Sequence, residues 1–336
     1  MPQGGANEYT ITDLGTLGGK TSRATAINNR GEVIGKAETA SGVSHAFLWS
    51  NGVMHDLGSP GGESEANGIN DHGQVVGGFS LRGLLSPSRA FLYQKGRMTV
   101  LGPPGRGASA RAINNSGEIA GSIAADDDMK IPRHAAIWRN GRMHDLGTLP
   151  GGDESWATGI NDRGDVVGTS FLAGTPWTHP RAFLCRRGKM RDLGTLGGDS
   201  SYASAINDSG QIAGSSRFKE GNSRQHLFLW EKGKMKDLGC LEEDAYSHTA
   251  GINRTGEMAG LEGNRTIFPL AFVCTGGVMT DLQRLLPPDS GWVLRTVRGI
   301  NDAGQIAATG EYQNRHDHAL LLTQHQVSWP RFGPVA

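Results

Sequence analysis

The sequence predicts an all-β protein, a seven-bladed β-propeller with four antiparallel strands per blade, closed by its N-terminal strand. Three observations carry the prediction. The string Ile-Asn-x-x-Gly occurs seven times, with isoleucines at 27, 69, 113, 160, 206, 252 and 300, so successive copies lie 42, 44, 47, 46, 46 and 48 residues apart. Glycine numbers 51 in 336 residues, far above ordinary usage, as a chain full of tight turns requires. The motif that ends most units also opens the chain, while the last unit lacks it.

One unit reads as four short strands. In the first copy these are Ser22 to Ile27, Glu32 to Gly35, His45 to Trp49, and Val53 to Leu57. No stretch has a 3.6-residue apolar period, so helices are expected to be scarce. Asn28-Asn29-Arg30-Gly31 suits a type I turn closed by a left-handed Gly. Between strands three and four stand Asn51-Gly52, Lys95-Gly96, Asn140-Gly141, Arg187-Gly188, Lys232-Gly233 and Gly276-Gly277, all hairpin signals. Asp-Leu-Gly then ends strand four, and a Gly-rich bridge leads onward. The first strand carries small residues, such as Ala24 and Ala26, which suit the crowded axis of a propeller. A straight β-solenoid is the alternative, but parallel solenoids use shorter coils and lack these paired hairpins.

The ends choose between ring and stack. Tyr9 to Gly15 repeats the fourth-strand motif, with Ile11 in the slot held elsewhere by Met54 or Met143. The last unit supplies three strands, to about Leu322, and no Asp-Leu-Gly follows. Pairing the two would remove both free sheet edges. Residues 8–323 are therefore expected to form a single domain and residues 324–336 a C-terminal tail, with Gln326 to Trp329 as an alternative closing strand.

His45-Ala46-Phe47-Leu48-Trp49, with Ile-Asn-x-x-Gly and Asp-Leu-Gly-Thr-Leu-Gly-Gly, resembles the HAF repeat family of bacterial proteins over residues 9 to about 322. That resemblance implies an extracellular or periplasmic setting and transfers no catalytic residues. The chain departs from the pattern at Val100-Leu101-Gly102, at Asp281-Leu282-Gln283, and at Ala308, which replaces a Gly. The N-terminal residues show no secretory signal.

Composition narrows the function classes. Lys plus Arg and Asp plus Glu are both 33, so no basic field exists to draw nucleic acid. No apolar run is long enough for a transmembrane helix. Cys185, Cys240 and Cys274 fit no zinc spacing, and Cys185 and Cys274 fall in non-adjacent blades, so no disulfide is expected. Gly15 to Thr21 imitates a P-loop but is one residue short and leads into a strand. Asp126-Asp127-Asp128 lacks calcium-loop spacing. The recurrent Ser22, Ser64, Ser155, Ser201 and Ser247 lack a His and acid at fixed spacing, and bonding to bridge backbone is expected of them. The repeated His45, His134, His226 and His318 are read as surface or packing residues.

What remains is the face carrying the bridges and the loops between strands two and three. Its acids and one aromatic insert give a candidate binding set: Glu63, Asp153, Glu154, Trp177, His179 and Asp199. No catalytic residue, metal site or cofactor is expected. The function expected from these features is a non-catalytic binding or interaction propeller, probing an unknown protein or glycan partner as a monomer. The alternatives are a glycan-acting hydrolase, which would need two carboxylates, or a purely structural surface protein.

Overall fold

The computed structural model describes residues 9–80, 89–102, 107–124, 133–173, 179–219, 224–242, 246–263, 269–313 and 315–325. Among these the architecture is all-β, made of four-stranded antiparallel sheets. A single turn of 3-10 helix, Leu282–Leu285, is the exception among the described residues. Each repeat folds on itself in sequence order: in the first, Gly18–Ile27, Val33–Thr39, Ser44–Ser50 and Val53–Gly58 pair one after another. The fifth and sixth repeats are joined by one parallel contact, Gln225 with Tyr246.

The last repeat takes its fourth strand from the other end of the chain. Tyr9–Asp13 pairs antiparallel with Asp317–Gln324, in register from Tyr9 opposite Gln324 to Asp13 opposite Leu320. Leu14 N–H continues the ladder to Ala319 O at 3.0 Å. Tyr9 and Leu14 are buried, and Ile11 packs on the apolar cluster around Leu320 and Leu322. Gln326 to Trp329 lie outside the described residues.

The Ile-Asn-x-x-Gly turns are shaped by their asparagines. Gly31 N–H returns to Asn28 O at 3.1 Å, and Gly31 adopts φ +74°, where a side chain would be strained. Asn28 Oδ1 accepts from the N–H groups of Arg30 and Glu32. Its Nδ2 donates to Glu32 Oε2 and to Asn70 O of the next repeat. All four hydrogen-bonding positions of this buried amide are filled, so nothing but Asn fits the slot.

The second-strand Gly and the third-strand Phe form one device. A Cβ on Gly35 would lie 1.9 Å from Arg23 O and 2.9 Å from Phe47 Cε1. The missing side chain lets the inner strand and the fully buried ring close over the same backbone. The arrangement recurs at Gly77 with Phe91, Gly168 with Phe183, Gly214 with Phe228 and Gly260 with Phe272. In the last repeat Ala308 and Leu320 take these places, and the inner strand Trp292–Ile300 carries an extra register shift between Leu294 and Thr296.

Two sequence features gain physical roles. Ser22 Oγ accepts from Ala319 N–H at 2.8 Å and donates to Gly15 O at 2.5 Å. Ser64, Ser155 and Ser201 do the same between the preceding repeat's Ala and the bridge Gly. The Asp of Asp-Leu-Gly pairs with the third-strand His: His45 with Asp56, His134 with Asp145, His226 with Asp237, and His318 with Asp13. Sequence reasoning left those two residues unconnected because they lie on separate strands, eleven positions apart in three pairs and 305 in His318–Asp13. Arg181 with Asp192 replaces the pair in the fourth repeat.

Candidate functional site

The first strand of every repeat alternates buried and open positions. In Ser-x-Ala the Ser and Ala are buried, and x is left facing space. Those open positions are Arg23, Glu65, Ser109, Trp156, Tyr202 and His248 in the first six repeats. First strands of neighbouring repeats touch, and that of the last touches that of the first. The variable residues therefore gather near the bridge side of the assembly. Sequence reading missed them because it followed what repeats, whereas an asymmetric site is made of what does not. The signal was present in the x of Ser-x-Ala.

The six candidate residues do not converge on one point. Trp177 lies outside the described residues. Glu63 lines a cavity among repeats one, two and three, with Lys36, Glu65 and Arg111. Asp199 is ion-paired with Arg217 at 3.0 Å and has His179 Nε2 at 3.9 Å. Asp153 is exposed at the start of the first strand of repeat four.

Glu154, its neighbour, is different. Only 6% of its surface is accessible. Burial pushes its carboxyl above the ordinary value, against the opposing pull of the Trp156 indole and of Arg133. Trp156 Nε1 donates to Glu154 Oε1 at 3.2 Å, and the indole packs on Phe171 with centroids 4.8 Å apart. Glu63 holds the matching place in repeat two but is exposed. Burial thus singles out one acid among equivalents, which sequence could not do.

On the next repeat, burial raises the Tyr202 phenol, with Arg217 opposing and Asp199 reinforcing the shift. The His248 imidazole is pushed down by desolvation and by the nearby Arg298 cation.

The opposite mouth, a cavity of about 190 Å³, is lined by the Ile-Asn turns. There the asparagines are consumed by hydrogen bonds from repeat to repeat, from Asn28 through Asn301 and back to Asn28 O. That rim is structural. No group of three His, Cys, Asp or Glu side chains among the described residues is placed to hold a metal ion. No described helix is long and apolar enough to cross a membrane.

No family model matches the chain, and no curated protein matches it. Solved structures do. The chain is similar to a Mycobacterium tuberculosis puromycin-hydrolyzing peptidase, with TM-score 0.61 and 10% identity over 94% of this chain and 54% of that one. It is similar to a Pyrococcus horikoshii acylaminoacyl peptidase, with TM-score 0.59 and 9% identity, covering 94% and 54%. It is also similar to the β-propeller domain of the trilobed protease from Pyrococcus furiosus, with TM-score 0.52 and 12% identity, covering 77% and 81%. The chain thus spans about half the length of the first two.

These matches correct one expectation. The like-folded propellers named above belong to peptidases and a protease, so the expectation of a non-catalytic binding or interaction module is not carried further. The burial of Glu154 sets one acid of the bridge face apart from its counterpart Glu63. At such low identity the likeness itself establishes only architecture: the fold is a β-propeller.

Proposed function

We propose that this chain serves hydrolysis of a glycosidic bond, with Glu154 as the general acid. The observation that carries the reading is the buried, proton-favouring carboxyl of Glu154 beside the Trp156 indole. A carboxyl whose affinity for its proton is raised by burial is suited to give that proton to a departing sugar oxygen. Asp199, on the next bridge, would supply the second carboxylate, positioned by Arg217. The open faces of Trp156 and Tyr202 suit stacking on a sugar ring.

The frame of the proposal is a closed ring of seven blades, one domain over residues 8–323 and monomeric. Three features support it: Tyr9–Asp13 pairs with the last repeat, the Asn bonds return to their start, and the first strand of the last repeat touches that of the first. Kinship with HAF repeat proteins, and the extracellular setting it implies, belongs to the same proposal. It is supported by the packing of Phe47, in His45-Ala46-Phe47, over Gly35, and of the third-strand phenylalanines of four further repeats over their own Gly.

The test is turnover of a panel of chromogenic glycosides and aminoacyl anilides by the full chain and by Glu154→Gln. The reading expects a glycoside to be cleaved and the variant to lose about 10²–10⁴-fold in kcat with its fold intact. Cleavage of aminoacyl anilides alone, turnover unaffected by the substitution, or no turnover of any substrate would overturn it.

A further inference from the structure

We propose that the cavity lined by repeats one, two and three, around Glu63 and Arg111, binds a small zwitterion, a free α-amino acid or a dipeptide. The cavity is about 240 Å³, room for about one or two small residues. Its charged lining is balanced: Lys36 and Arg111 against Glu63 and Glu65. Lys36 Nζ is already 3.6 Å from Glu65 Oε2. Arg111 and Glu63 have no ion-pair partner among the described residues, and they do not reach each other across the cavity. Two unpaired charges of opposite sign on one cavity match a ligand carrying both signs. A simple anion or cation would satisfy one and be repelled by the other.

The bulge position gives a second, independent observation. Arg111 is skipped by the strand register between Ala110 and Ala112. At the same bulge Thr25 donates to Ala66 O, Asn67 to Ala110 O and Thr158 to Ala203 O, each tying its repeat to the next. Arg111 makes no such tie and stands exposed. A position used elsewhere for structure is here given to a free guanidinium, the donor best suited to grip a carboxylate in two parallel bonds. The Oδ1 of Asn67, whose Nδ2 is engaged, remains an acceptor for an ammonium. Buried Phe79 offers a small apolar wall for an aliphatic side chain.

The site shares no residue with Glu154 or its surroundings, so the two readings fail separately. The experiment is calorimetric titration of the full chain with L-alanine, alanyl-alanine, its N-acetyl form and its C-terminal amide. One of the two zwitterions is expected to bind, and each blocked dipeptide to bind at least about tenfold more weakly than alanyl-alanine. Arg111→Gln and Glu63→Gln should each cost a similar factor, Arg111→Lys should retain part of the binding, and Glu154→Gln should change nothing. If neither zwitterion bound, if blocked forms bound equally well, or if the Arg111 and Glu63 variants matched the parent, the proposal would be wrong. Melting curves of the variants separate lost binding from lost fold, and Arg111→Lys carries the test if Arg111→Gln does not fold.

Discussion

The side-chain amide of Asn301 donates to the backbone carbonyl of Asn28 at 3.0 Å, joining residues 273 positions apart. The same bond links every other pair of consecutive Ile-Asn turns, from Asn28–Asn70 to Asn253–Asn301. One step outward runs a second circuit, in which the residue after each Asn sends its N–H to a side-chain oxygen of the next repeat. Asn29 donates to Asp71, Asp71 to Asn115, Asn115 to Asp162, Asp162 to Asp208, Arg254 to Asp302, and Asp302 to Asn29. The one gap falls between Asp208 and Arg254, because a guanidinium has no acceptor to offer.

Restoring that acceptor should stabilise the protein. Arg254→Asn is expected to complete the outer circuit, contributing about 1 kcal/mol. The lost Arg254–Asp302 pair, at 3.5 Å with Arg254 mostly exposed, offsets little of it. Differential scanning calorimetry should show a melting temperature higher by a few degrees. A lower value would mean that the ion pair outweighs the new bond.

The Gly and Phe device makes opposite forecasts at equivalent positions. A Cβ at Gly214 would sit 2.1 Å from Tyr202 O and 2.6 Å from Phe228 Cζ, so Gly214→Ala must push apart backbone and a buried ring. The expected cost is about 3 kcal/mol or more. Ala308→Gly, which removes a buried methyl, is expected to cost about 1 kcal/mol through chain entropy and a small void. Denaturant melts of the two variants check this, and equal losses would refute the steric account.

Glu154 gives a pH dependence of known sign. Its carboxyl titrates above the ordinary 4.5 in the fold, because burial disfavours the ionised form. The unfolded chain therefore releases this proton at lower pH than the folded one. Its unfavourable contribution is absent below the ordinary value, grows as pH rises through the folded value, and is constant above. Glu154→Gln should thus gain stability relative to the parent as pH rises above the ordinary 4.5, the difference vanishing in acid. A difference that stayed flat with pH would show that Glu154 is not desolvated.

How much was legible beforehand follows from which residues repeat. The four strands, the left-handed Gly31 and the pairing of Tyr9–Asp13 with the last repeat all followed from local turn chemistry and from a motif displaced to the chain start. The pairing of Asp56 with His45 was hidden, since it joins two motifs only once the strands lie side by side. The buried state of Glu154 was hidden as well. Glu63 and Glu154 occupy the same slot, and only packing beside Trp156 and Phe171 tells them apart. The matching positions of Trp156 and Tyr202 on neighbouring first strands needed the structure, because their identities obey no repeat.

The whole account depends on closure by the N-terminal strand, since the two mouths exist only if the repeats return on themselves. Deleting residues 1–15 removes the buried Tyr9 and Leu14 and strips cover from Leu320 and Leu322. Burial of two such side chains contributes on the order of 3–6 kcal/mol, and the exposed ladder of Asp317–Gln324 invites pairing with another chain. The decisive measurement is calorimetry with light scattering on this deletion beside the parent. The account predicts a melting temperature lower by roughly 10 °C and concentration-dependent association. A monomer that melts like the parent would contradict it.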